Sequence, residues 1–100
     1  MLDIKKTIEN GKALFALTGR LDTTTAPELE KAIKDSFNDL NELTLDFAGL
    51  EYVSSAGLRV LIEAHMNMAL KEGRMELKNV NETIMEIFDI TGFTDVLTIK

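Results

Sequence analysis

Residues 43–78 constrain the fold more than any other stretch of the chain. Leu43-Thr44-Leu45-Asp46-Phe47 alternates apolar and polar side chains, the two-residue period of a strand with one buried face. From Ser55 to Gly73 the period lengthens. Leu58, Leu61, Ile62, His65, Met66, Ala69 and Leu70 follow the i, i+3, i+4, i+7 spacing of a helix lying against a core, and Gly73 is placed as its C-cap glycine. Arg74-Met75-Glu76-Leu77-Lys78 then returns to alternation. A strand, a helix and a strand in that order predict a crossover unit with parallel strand pairing.

The flanking segments extend this unit. Leu2, Ile4 and Ile8 share one strand parity, interrupted by Lys6, and Asn10-Gly11 follows, the dipeptide suited to the positive φ angles of a tight hairpin turn. Ala13-Leu14-Phe15-Ala16-Leu17 reads as a strand buried on both faces, so the chain opens with an antiparallel hairpin. Thr25-Ala26-Pro27-Glu28 is a helix-start signature: Thr25 is positioned to cap free amides, Glu28 to reach back, and proline suits a first turn. Leu29, Ile33, Phe37 and Leu40 continue that helix as a buried stripe. Asn79 or Asn81 is expected to cap a last helix carrying Ile84, Ile87 and Phe88 and ended by Gly92, with Val96–Ile99 as a short final strand. The expected class is α/β, a mixed sheet with helices packed against it, in one domain spanning residues 1–100.

Composition narrows the functional classes. The 100 residues carry 17 acidic and 11 Lys/Arg side chains, a formal charge of −6 with no basic cluster. Nucleic acid and anionic membrane surfaces both need cationic patches, so neither is expected as the main partner. The longest apolar run, Ala13–Leu17, is far short of the ~20 residues of a membrane span. Met1 leads directly into a strand-like segment without an apolar signal core, and the chain has no cysteine, both pointing to a cytoplasmic protein. Without cysteine there is no disulfide and no thiolate chemistry.

Few residues are candidates for catalysis. His65 is the only histidine, which leaves no familiar zinc set, and no glycine-rich phosphate cradle is present. Ser55 and His65 suggest a nucleophile and base, but ten helical positions are ~15 Å of rise, against the ~3 Å that proton transfer requires. The nucleophile elbow G-x-S-x-G fails because Val53 stands at its first glycine. No catalytic residue, metal site or cofactor is expected. Instead Tyr52-Val53-Ser54-Ser55-Ala56-Gly57-Leu58 stands out, directly before the long helix. A serine there caps free amides, and a phosphate placed there would meet unpaired N–H groups and the positive end of the helix dipole.

Asp46-Phe47-Ala48-Gly49-Leu50-Glu51-Tyr52-Val53-Ser54-Ser55-Ala56-Gly57-Leu58-Arg59-Val60-Leu61 resembles the signature of the STAS domain in bacterial anti-sigma factor antagonists. Gly19-Arg20-Leu21-Asp22, Thr25-Ala26-Pro27-Glu28-Leu29 and Ile90-Thr91-Gly92-Phe93 resemble further segments of that family, so the likeness spans nearly the whole chain. It implies a protein–protein switch rather than an enzyme. The unphosphorylated antagonist binds an anti-sigma factor, often also a serine kinase, and so frees a sigma factor; phosphorylation ends the interaction and a phosphatase resets it. Matched residue by residue, the acceptor is Ser55, with Asp22 and Gly57 beside it. Many members have an acidic residue where this chain has Ser54, which makes Ser54 the second candidate acceptor.

At 100° per residue, Arg59, Glu63, Asn67 and Lys71 form the solvent arc of the long helix, with Val60 inside it. Arg59 and Val60 are therefore expected on a partner-binding surface. Two other classes compete with the switch. An acyl carrier would also be small and acidic with a serine at a helix start, but carriers are helical bundles with Asp-Ser-Leu at the attachment point. STAS-like domains also occur as accessory modules of lipid or anion transport systems, where no phosphorylation is needed. Oligomeric state and the identity of the sigma factor are not encoded in any feature of the sequence.

Overall fold

The structure, a computed structural model, describes residues 1–100. Its elements run β1 (Leu2–Glu9), β2 (Lys12–Leu21), α1 (Ala26–Ser36), β3 (Glu42–Val53), α2 (Ser55–Leu70), β4 (Arg74–Lys78) and α3 (Glu82–Thr91), with one-turn 3-10 helices at Phe37–Asp39 and Phe93–Asp95. The four strands lie in the order β1-β2-β3-β4. β1 and β2 pair antiparallel from Leu2↔Gly19 to Glu9↔Lys12, around Asn10 and Gly11 at φ 52° and 79°. Both angles are positive, as the two-residue hairpin turn requires. β3 pairs parallel with β2 and with β4, so the mixed α/β sheet and the 43–78 crossover are both present.

One sheet face is buried and the other is open. Ala13, Phe15 and Leu17 of β2, Leu43, Leu45 and Phe47 of β3, and Met75 and Leu77 of β4 enter the core beneath the helices. Leu14 and Ala16 are only half-buried, which corrects the reading of β2 as buried on both faces. All three helices contribute to one core, leaving the opposite sheet face to Lys5, Thr7, Thr44 and Asp46 around the half-buried Leu14 and Ala16. Phe88 of α3 tilts onto Phe47, with ring centroids 6.5 Å apart.

β3 holds a feature that strand periodicity alone does not anticipate. Its register against β2 slips twice, between Ala16/Thr18 and Gly19/Arg20, each time placing one extra residue on β3. Inward residues beyond the bulges therefore come at spacing three, Phe47, Leu50 and Val53. The bulges carry β3 to the point where Ser54 opens α2.

Several local expectations are corrected. Thr25 does not cap α1 with its side chain. Its hydroxyl turns back, accepting from the Asp22 N–H at 2.8 Å and donating to the Arg20 carbonyl at 2.8 Å. On α2 the buried set is Gly57, Leu58, Val60, Leu61, Ala64 and Met68. Met66 is 57% exposed and Leu70 82%, so the true stripe is rotated toward α1 relative to the expected one. The left-handed residue closing α2 is Glu72, φ 61°, not Gly73. Gly73 is needed for another reason: a Cβ there would lie 2.9 Å from the Asn41 carbonyl oxygen. Asn81, rather than Asn79, caps α3 by accepting from the Ile84 N–H at 2.9 Å, and Gly92 ends that helix. The final strand shrinks to one parallel bridge, Leu77↔Ile99.

Candidate functional site

The ends of β2 and β3 bring the sequence-selected residues together. Arg20 and Leu21 pair with Tyr52 and Val53, and the Ser54 N–H donates to the Leu21 carbonyl at 2.8 Å. The loop that begins at Asp22 is thereby held beside the serine pair. Ser54 is the N-cap of α2, with extended backbone and its hydroxyl oxygen 3.4 Å from the Gly57 N–H that it accepts. Ser55 follows as the first helical residue. It is exposed, and its hydroxyl forms no hydrogen bond within the chain.

Gly57 lies against Leu21. A Cβ at position 57 would come within 2.7 Å of Leu21 Cγ and 3.0 Å of the Leu21 carbonyl oxygen. This contact seats the first turn of α2 on the end of β2 and so sets where Ser55 emerges.

Asp22 organises the loop rather than reaching for Ser55. Its Oδ1 accepts from the Thr24 N–H at 3.0 Å and the Thr25 N–H at 3.1 Å, while its own carbonyl accepts from the Ala26 N–H at 2.8 Å. Neither side-chain bond caps α1, whose N-cap Thr25 makes no side-chain cap bond; the Ala26 N–H is taken by a backbone carbonyl instead. The Thr25 amide, aided by the Thr25 hydroxyl and the Thr24 amide, holds the Asp22 carboxyl below its ordinary pKa, against the opposing effect of partial desolvation. A lowered folded pKa means that this stabilisation is present above the ordinary carboxylate range and fades as pH falls through the folded value. Asp22→Ala should therefore be less stable than the parent at pH 6, and the gap should narrow as pH falls below the ordinary carboxylate range, which urea denaturation at a series of pH values would show.

Arg20 is tied down beside this loop, 4.6 Å over the Tyr52 ring and 4.0 Å from the Asp22 carboxylate. Arg59 is exposed and forms no ion pair. Ser55, Leu58, Arg59, Ile62, Glu63, Thr91 and Phe93 line a shallow groove of about 380 Å³ between α2 and the end of α3. Val60 is not on this surface. It is 7% exposed and faces α1, sharing a cleft with Ile33 and Ala64, which corrects its expected exposure. The burial of Val60 is legible in hindsight from Val60, Ala64 and Met68 at i, i+4, i+8.

His65 is remote from Ser55, one face along and ten residues down α2. It borders a separate cleft with Arg74, Glu76, Thr98 and Lys100, and its Nδ1 is buried without a partner. Ser55 therefore has no imidazole base and is an unactivated, accessible hydroxyl at a helix N-terminus. Such a group can receive a phosphoryl group from another protein's active site. No group of three or more His, Cys, Asp or Glu side chains is placed to hold a metal ion. No helix is long and apolar enough to cross a membrane.

Comparison with known proteins accords with this geometry. The chain is 26% identical over 85 residues to the anti-sigma-B factor antagonist of Listeria monocytogenes, covering 84% of this chain and 75% of the relative. It is 26% identical over 84 residues to the anti-sigma-B factor antagonist of Bacillus subtilis, covering 84% and 77%. Among solved structures, an anti-sigma factor antagonist from Mycobacterium paratuberculosis superimposes with a TM-score of 0.88 at 22% identity, over 99% of this chain and 85% of that one. The Bacillus cell fate determinant SpoIIAA in its phosphorylated form superimposes with a TM-score of 0.76 at 16% identity, over 100% and 91%. The STAS domain pattern matches residues 3–100. With the strand order, the bulged β3 and the serine pair opening α2 in place, the chain belongs to the STAS domain family.

Proposed function

We propose that the chain is an anti-sigma factor antagonist, a cytoplasmic protein–protein switch controlled by phosphorylation of Ser55. In this reading its unphosphorylated form binds an anti-sigma factor that is also a serine kinase, and a phosphatase reverses the modification. The chain is the substrate of that chemistry, not its catalyst. The observation that carries the proposal is the division of labour in the serine pair: the Ser54 hydroxyl is used as the helix cap, while that of Ser55 is exposed and free. Phosphate on Ser55 would meet the positive end of α2 and add nearly two negative charges without displacing a core side chain. On a chain already at −6, that charge repels an acidic partner surface. Arg59 remains in the proposed partner-facing surface; buried Val60 supports it only from beneath.

The test starts with a pull-down from the native cell to obtain the kinase, followed by incubation with ATP and Mg²⁺ and peptide mass mapping. Ser55→Ala should keep the fold and kinase binding but take up no phosphate at that position. Ser55→Asp should weaken binding, and less than true phosphorylation, which is expected to cost on the order of 100-fold in affinity. Phosphate on Ser54 alone would move the site by one residue. Binding with no phosphate on either serine would favour the transport-accessory role.

A further inference from the structure

We propose that Arg59 is the intramolecular receptor for a phosphate on Ser55, so that modification withdraws a free cation from the switch surface as it adds negative charge. The proposal rests on the reading of Ser55 as acceptor and concerns how that site is regulated. Ser55 and Arg59 stand at i and i+4 of α2, about 6 Å apart along the axis and on one face. Helical Cα–Cβ bonds tilt toward the N-terminus, so the long Arg59 side chain leans toward Ser55 rather than away from it. Both residues line the same groove.

Arg59 has no competing partner. Glu63 lies one turn beyond it but forms no ion pair with it, and base-before-acid is the weaker order at this spacing. Glu30, across the cleft between α1 and α2, is paired with Lys34 at 3.8 Å. A phosphate on Ser55 would present the stronger order, acid before base, with three acceptor oxygens matched to the guanidinium fork. The other nearby arginine, Arg20, is stacked on Tyr52 and held near Asp22. Leu58, Ile62 and Phe93 line the groove beside the exposed pair.

The consequence is a two-part switch. Without phosphate, Arg59 is offered to an acidic group of the partner. With phosphate, the same position presents a net negative ion pair. Repulsion and loss of an attractive contact then act together.

Phosphoserine encoded genetically at position 55 tests this without a kinase, in the full chain, by ³¹P NMR titration. The phosphate of the parent should bind its second proton about two- to fivefold more weakly than that of Arg59→Gln, with Arg59→Lys intermediate. Thermal melting should show Arg59→Gln folded, since Arg59 is exposed. Coincident titrations of the parent and a folded Arg59→Gln would overturn the proposal. Because the phosphate is encoded, this result is independent of whether any kinase uses Ser55, which the peptide mapping reads separately.

Discussion

Gly57→Val is expected to lower the melting temperature by roughly 10–20 °C and to abolish partner binding in the same step. The substitution forces a branched side chain into Leu21 Cγ at 2.7 Å and the Leu21 carbonyl at 3.0 Å. Neither can retreat cheaply, because Leu21 is fully buried and its carbonyl holds the Ser54 N–H. Overpacking of this kind costs about 2–3 kcal/mol, and a domain of this size loses about 4–8 °C per kcal/mol. Relief requires the first turn of α2 to lift from β2, and that movement displaces Ser54 and Ser55. Calorimetry and kinase pull-down measure the two effects, and an unchanged melting temperature with unchanged binding would refute this account of the junction.

Val60→Asp should be at least as severe, costing about 3–4 kcal/mol, because it places an unpaired carboxylate between α1 and α2. Set against a typical total stability of about 5–15 kcal/mol, such a loss removes a large share of the margin and raises the unfolded fraction more than about a hundredfold. Any loss of binding would then be read against that loss of stability. Arg59→Ala, in an exposed position, should change stability by less than about 0.5 kcal/mol while weakening binding. Denaturant melts of both variants separate the two cases. A Val60→Asp chain as stable as the parent would show that α1 does not cover this position.

The hairpin was readable because Asn10-Gly11 encodes its own geometry, two positive φ angles in succession. The crossover was readable because the period changes at Ser55 and again at Arg74. The rotation of α2 was not. Leu58 and Leu61 point inward on either reading, and the apolar residues Ile62, Met66 and Leu70 favour the wrong side of the helix. Only the position of α1, lying over Val60 and Ala64, selects the other side. Likewise Thr25 fits a local capping rule, yet its hydroxyl is drawn to the Arg20 carbonyl and the Asp22 amide because β2 ends immediately behind it.

The same division runs through the candidate site. Ser54, Ser55 and Gly57 stand out in the sequence, since small and hydroxyl residues before a helical stripe mark a helix start. Which serine caps and which is left free depends on the two bulges of β3 and on the hydrogen bond from Ser54 to Leu21. The sequence by itself determined the order of strands and helices, the parallel crossover and the location of the serine pair, because periodicity and turn chemistry act over neighbouring residues. Only the tertiary structure decided that Val60 is buried, that Asp22 holds its own loop and that Ser55 keeps a free hydroxyl beside Arg59. Val60 is buried because α1 lies over it, and Ser55 is left free where Ser54 is held on Leu21, both contacts between segments far apart in the chain; Asp22 keeps to its own loop because β2 ends directly before it.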